Sequence, residues 1–304
     1  MFLAVAWCGC APQPGRVSRV GPVVGPPEPM DVVIGRVNRN AAAMDFLLKA
    51  GGVSATGEFE RDDRRASFQL HGTLLFQRPR NLYLKLEHVG GTIEAGSNEE
   101  EFWYWEKFEP SRYLWGRHEQ MANGFEADIP LRPDLLAEVL GLGGLPTDTK
   151  GRDGPALWVG SDFYELVFDH LDPTDQKCLT KVIDIDRREP FLVRSLVYFG
   201  AGGLPVVQAR LDDYQSIGDS GVLAPRQIRI DWLPDRGWVE LSFTTMQRFD
   251  NPAARSRFRS PREQGLDIGE SRRVDRPPTA ASPLQPASQN TSKPEVQVTR
   301  PAEG

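Results

Sequence analysis

The chain has 304 residues, with 36 Lys and Arg against 42 Asp and Glu, a formal net charge of -6 and three cysteines. Its basic residues are scattered among acids instead of gathered on one face, which excludes the electrostatic footprint of a nucleic-acid binder. One internal cysteine, Cys178, and four dispersed histidines exclude a disulfide framework and a structural zinc site.

In chain order, the first segment runs Met1, Phe2, Leu3, Ala4, Val5, Ala6, Trp7, Cys8, Gly9, Cys10 and then turns to Pro and Gly through Pro29. An apolar run this brief is far below the roughly 20 residues that span a bilayer. It resembles the end of a bacterial lipoprotein signal, in which a small residue, here Gly9, precedes the cysteine that receives lipid. Cys10 is therefore the candidate lipid anchor, and residues 1–30 read as a signal-peptide remnant and Pro/Gly-rich tether. The spacing of Ala42, Ala43, Phe46 and Leu47 then predicts a helix over Asn40 to Ala50, stopped by Gly51 and Gly52.

From there to Phe249 period-two segments dominate. Val53 to Glu60 opens the series; Phe68, Leu70, Gly72, Leu74 and Phe76 then share one face while Gln69, His71, Thr73 and Gln77 share the other, and Leu82, Leu84 and Leu86 repeat the pattern. Further strands are expected at Thr92 to Ala95, Glu101 to Phe108 and Tyr113 to Arg117. Arg132 to Leu142 breaks the rhythm: Pro133 near its start, an apolar stripe of Leu135, Leu136, Val139 and Leu140, and Gly143 and Gly144 after it predict a second helix. Strands resume at Ala156 to Gly160, Phe163 to Leu171, Leu179 to Asp186, Phe191 to Phe199 and Val206 to Tyr214. The last hairpin alternates Ile228, Ile230 and Trp232 with polar residues, turns at Pro234 to Gly237, and continues through Val239, Leu241 and Phe243. Short turns favour sequential pairing, so the fold class is mainly β: an unclosed antiparallel barrel of about 10–11 strands with a helical lid or plug, spanning residues 31–250. Residues 251–304, Arg-rich and then Pro/Ser/Gln/Thr-rich, read as a disordered tail.

Catalytic chemistry finds no constellation here. His71, His88, His118 and His170 fall on separate elements outside any metal-ligand or nucleophile motif, and Gly141 to Gly144 follows a helix instead of joining a strand to one. The acids Asp184, Asp186, Asp212 and Asp213 read as solvated strand ends, so neither enzyme, metal nor cofactor is expected. Phe102, Trp103, Tyr104 and Trp105, followed by Phe108, Tyr113 and Trp115, put rings on both faces of one strand; ordinary core packing is the first reading, and the alternative is that one face lines the interior while the other lies under a helix or at a membrane or ligand surface.

The order of these elements is that of a known family. A helix leading into Val53 to Glu60, the run Phe76, Gln77, Arg78, Pro79 before Asn81 to Leu86, the aromatic strand after Glu101, the helix from Pro133, and the closing Leu223, Ala224, Pro225, Arg226, Gln227, Ile228, Arg229, Ile230 resemble the LolA/LolB-like superfamily, the lipoprotein carriers and receptors of the Lol system. The likeness covers roughly Asn38 to Phe249. It implies an unclosed barrel holding acyl chains of lipoproteins or phospholipids, with Phe68, Leu70, Leu74, Phe76, Leu84, Leu86, Trp103, Trp105, Ile228, Ile230, Leu241 and Phe243 as interior candidates. It also implies a cell-envelope location facing the periplasm, the outer membrane before the inner, with attachment through Cys10. In the tethered receptor a hydrophobic residue protrudes between early strands, and Val89, before Gly90 and Gly91, is the nearest match. The alternative is a non-transporting envelope scaffold that uses the same fold to hold a protein partner.

Overall fold

The computed structural model describes residues 22–23, 25–61, 64–118, 132–147, 154–171, 177–200, 202–234 and 236–274. Cys10 lies outside the described residues, as do 275–304.

One 14-stranded sheet organises the molecule. Its first half is β1 (Leu48–Arg61), β2 (Arg64–Gln77), β3 (Asn81–His88), β4 (Gly91–Ser97), β5 (Glu101–Glu106) and β6 (Arg112–Arg117). The second half is β7 (Ala156–Val159), β8 (Phe163–Leu171), β9 (Lys177–Asp186), β10 (Val193–Phe199), β11 (Pro205–Ser216), β12 (Leu223–Trp232) and β13 (Gly237–Arg248). Each half is a meander, as short turns dictate. The halves meet at the centre, where β1 pairs antiparallel with β13 from Leu48↔Arg248 to Glu58↔Trp238. The chain thus winds outward from β1 to β6, crosses to the far edge at β7 and winds back. A short β14 (Ser271–Arg273) pairs in parallel with β6, making the sheet mixed, and β14 and β7 are its two edges. The sheet has 14 strands against an expected 10–11; β1 to β13 each fall on a segment named from the sequence, and β14 comes from the supposed tail.

Alternation puts one face of this curved sheet inside. Leu74, Phe76, Leu84, Leu86, Phe102, Tyr104, Ile183, Ile185, Ile228, Ile230, Val239 and Leu241 belong to a single buried cluster drawn from both halves. Two helices complete it. Helix α1 (Met30–Ala42) contributes Val33, Ile34 and Val37, and α2 (Pro133–Val139) contributes Leu135, Leu136 and Val139.

Two expectations are corrected here. The first helix ends where it was expected to begin: Val33, Ile34 and Val37 of its buried stripe precede Asn40 to Ala50, Ala41 alone falls within it, and Pro29 stands directly before the first helical residue. Gly51 and Gly52 do not stop a helix; they form a bulge in β1, where the register against β2 shifts between Ala50 and Val53 and Gly52 takes φ +57. The supposed tail is also structured through Val274. Residues 252–258 form a 3-10 helix, and the strap from there to β14 crosses the outer face of the first half. Phe258 packs there with Leu47, Leu75 and Tyr83, and Ile268 with Trp103, Trp105, Tyr113 and Trp115. A segment with few apolar residues of its own orders itself because the sheet supplies the aromatic partners.

Candidate functional site

The feature that could do work is the apolar concave face and what covers it. Helix α2 lies against β3, β4 and β5, its first turn opened by Pro133 and its end set by Gly141 at φ +67, a left-handed position that glycine takes without strain. Neither α1 nor α2 has a side-chain N-cap. At seven residues α2 is far below the ~12–15 at which an isolated helix becomes marginal, so tertiary contacts alone hold it.

Those contacts are apolar below and ionic at the edges. Glu138 in α2 reaches across to the second half, accepting from Lys181 Nζ on β9 and from Tyr198 Oη on β10 at 2.6 Å. Burial first, and then the Glu138 carboxylate, push the Tyr198 hydroxyl well above the phenol range, so it stays protonated and donates. At the other end of α2, Arg132 pairs with Asp134 through two hydrogen bonds of 3.1 and 2.5 Å. Burial raises the Asp134 carboxyl, but the Arg132 guanidinium more than offsets this and leaves it below the usual carboxylate range. Helix α1 is fixed similarly: Asn38 exchanges two hydrogen bonds with the backbone of Leu145, Asn40 two with Leu223, and Arg78 donates to the Ala41 carbonyl.

His118 sits beside this lid. Its Nε2 lies 3.0 Å from the Asn98 carbonyl oxygen and 3.2 Å from Ser97 Oγ. Serine, histidine and aspartate are thus neighbours, yet a carbonyl only accepts, so Nε2 carries the proton and offers Ser97 no lone pair. Ser97 is moreover fully buried. The cluster is a structural latch and contains no activated nucleophile. Among the described residues no group of three His, Cys, Asp or Glu could hold a metal ion. Burial, above all, lowers the His118 pKa from 6.5, Arg80 adds to this, and Asp134 works against it. Because the fold prefers the neutral ring, its contribution to stability is present above pH 6.5 and is lost as pH falls below that value. Asp134 loses its share only below 3.8. The Tm of the protein is therefore expected to fall as pH drops below 6.5, and His118→Gln to flatten that fall; an unchanged slope in the variant refutes the assignment.

Ten of the twelve interior candidates face inward: Phe68, Leu70, Leu74, Phe76, Leu84, Leu86, Ile228, Ile230, Leu241 and Phe243 all pack in or against the concave cluster. Trp103 and Trp105 do not. They point outward beneath the strap, and their neighbours Phe102 and Tyr104 face in. The strand does alternate with period two, but rings on both of its faces leave the alternation unable to distinguish inner from outer. Among the described residues the ten belong to, or pack against, one buried cluster that also holds side chains of α1 and α2. Among the described residues, a cavity beneath the helices measures about 30 Å³ and is lined by Val37, Glu138, Gly141, Gly143, Gly144, Leu145, Ile183, Val193 and Leu196, none of them an interior candidate. Cavities that take up benzene are about 150 Å³. Val89 is fully exposed at the β3–β4 turn. Glu138, Lys181 and Tyr198 were missed by sequence reasoning; the one signal was an acid among the leucines of a short helix.

Three solved structures are similar to the chain. A DUF1329 family protein from Desulfovibrio piger matches at 10% identity over 79% of this chain and 100% of that one, with a TM-score of 0.49. A LolA superfamily protein from Nitrosomonas europaea matches at 13% identity over 78% and 100%, TM-score 0.47. An outer-membrane lipoprotein-sorting protein domain from Vibrio parahaemolyticus matches at 9% over 74% and 98%, TM-score 0.45. No protein-family model and no curated protein matches. Among the described residues no helix is long and apolar enough to cross a membrane.

Proposed function

We propose that the protein is a cell-envelope lipoprotein, attached through Cys10, that binds acyl chains of lipoproteins or phospholipids against its concave face after α2 lifts. What carries this reading is the cover: an apolar inner face closed by two helices without side-chain caps, one of seven residues. The apolar terms nearly balance. Lifting Leu135, Leu136, Val139, Leu140 and Leu142 costs about 1.5–3 kcal/mol each, together about 7–15 kcal/mol. One chain of about sixteen methylenes, at about 0.8 kcal/mol each, returns roughly 13 kcal/mol. A single chain therefore about offsets the lid, and a ligand with two or three chains holds it open.

Protein purified without detergent exchange is expected to carry lipid detectable by native mass spectrometry and to take up a fluorescent acyl probe. Glu138→Ala, which unties α2 from Lys181 and Tyr198, is expected to speed uptake several-fold while lowering stability by about 1–3 kcal/mol. Empty protein together with no uptake by either form sinks the proposal. The second reading, an envelope scaffold holding a protein partner, draws on a different observation: the inward-facing side chains of both halves already form one buried cluster with those of α1 and α2.

A further inference from the structure

The two ends of the sheet expose different residues. Among the described turns, the antiparallel register puts β3–β4, β5–β6, β10–β11 and β12–β13 at one end, and β2–β3, β4–β5, β7–β8, β9–β10 and β11–β12 at the other, where Arg78 and Leu223 bond α1. Of the six large hydrophobic residues exposed among those described, Val89, Leu204 and Leu233 lie in turns of the first end; Trp158 and Val159 are on the edge strand β7, Val159 closing it beside the β7–β8 turn at the second end, and Leu266 is in the strap. Leu204 and Leu233 are on neighbouring hairpins, because the Leu233 N–H donates to the Val206 carbonyl at 3.0 Å. Leu204 is 72% exposed on a tip, residues 200–204, that has no charged side chain, and a Cβ at Gly202 or Gly203 would meet nothing within 4 Å. Just inside this end Phe59 stacks on Phe68 at 5.6 Å and touches Trp232 at 5.4 Å, so aromatic rings stop the barrel where α1 does not.

The geometry points to a bilayer-docking rim: Leu204 and Leu233 enter the acyl boundary of a phospholipid surface and hold the aromatic-lined end of the barrel against it. Neither side chain serves the core. Aliphatic residues on separate glycine-borne or exposed tips do not make the contiguous packed patch that a protein interface needs, whereas each can sink into hydrocarbon independently of its neighbour. The uncharged 200–204 tip crosses the headgroup layer with no ionic desolvation, and Arg236, exposed beside Leu233, is placed at headgroup level. A lipid anchor at Cys10 allows the same orientation. Cys10 and Glu28 are 18 positions apart, a reach of up to roughly 60 Å, against at most about 48 Å for the 14-residue β1.

This inference goes beyond acyl-chain binding and can be separated from it. The full chain carrying Cys10→Ser, which has no lipid anchor, is sedimented with phosphatidylcholine vesicles and with mixed phosphatidylethanolamine and phosphatidylglycerol vesicles. It is expected to bind both with little dependence on salt. Leu204→Asp with Leu233→Asp is expected to lower the partition coefficient about tenfold or more, and Trp158→Asp, on the exposed edge strand β7, to leave it within about twofold. Absence of vesicle binding by the Cys10→Ser chain, a double variant that sediments like it, or an equal loss in Trp158→Asp overturns the rim. If the double variant loses its thermal unfolding transition, Leu204→Asp alone decides, with an expected loss of about threefold; no loss overturns the proposal. Acyl-probe uptake in the same samples, without vesicles, reads the lid independently: its absence with vesicle binding intact defeats the cavity reading and leaves the rim standing.

Discussion

Truncating the chain after Phe249 is expected to produce an aggregating protein, while truncation after Val274 leaves a soluble one with a cooperative unfolding transition. Residues 251–274 shield the outer aromatic face of β5 and β6, where Trp103 and Tyr113 are 1% and 0% exposed. Uncovering even half of a buried aromatic side chain of 150–250 Å² costs about 2–3 kcal/mol at 25 cal/mol per Å², and Trp103, Trp105 and Tyr113 all lose their cover together. The truncation also strips Arg262 from Glu101, a carboxylate whose side chain is 5% exposed and which the guanidinium meets at 2.7 Å. Leaving such a charge buried without its partner costs about 3–5 kcal/mol. Together these losses rival the whole stability of an ordinary domain, about 5–15 kcal/mol. Soluble yield and binding of a hydrophobic dye measure the outcome, and equal behaviour of the two truncations refutes the strap's role.

Gly72→Ala and Gly35→Ala are expected to act in opposite directions. A Cβ at Gly72 would stand 1.7 Å from the Lys85 carbonyl oxygen and 3.0 Å from the Leu86 Cα, both backbone atoms of β3, so no side chain can move aside. Relief requires β2 and β3 to part in the middle of their ladder, where Gly72 pairs with Leu86. The cost is expected to exceed about 3 kcal/mol, lowering Tm by roughly 10 °C or abolishing folding. At Gly35, within α1, an added Cβ meets nothing within 4 Å and the backbone is already helical, so alanine gains about 0.5–1 kcal/mol. Thermal unfolding of the two variants tests the pair, and a Gly72→Ala protein as stable as the parent contradicts the register of β2 on β3.

The two helices show how far the sequence could be read. For α2 the apolar stripe, the proline and the glycines all agreed, and the helix forms within the expected limits. For α1 they conflicted: Gly51 and Gly52 look like a helix stop, yet φ at Gly52 serves a bulge, and the true helix follows a Pro-rich stretch that reads as tether. Glycine supplies the same backbone freedom to both structures, so only the pairing of β1 with β2 distinguishes them.

Sequence by itself determined the β class, the meander within each half and the inward face of most strands, because side-chain alternation and turn chemistry are local properties. Only tertiary structure decided that β1 and β13 meet at the centre of the sheet, that Trp103 and Trp105 face out beneath a strap, and that Glu138 bridges to Lys181 and Tyr198. These depend on contacts between segments far apart in the chain, whose energies are set by complementary surfaces and not by the residues of either segment alone. Whether the concave face would be hollow belonged to the same class: a period-two pattern fixes which side chains point inward, but the space left among them depends on how deeply α1 and α2 settle into the sheet.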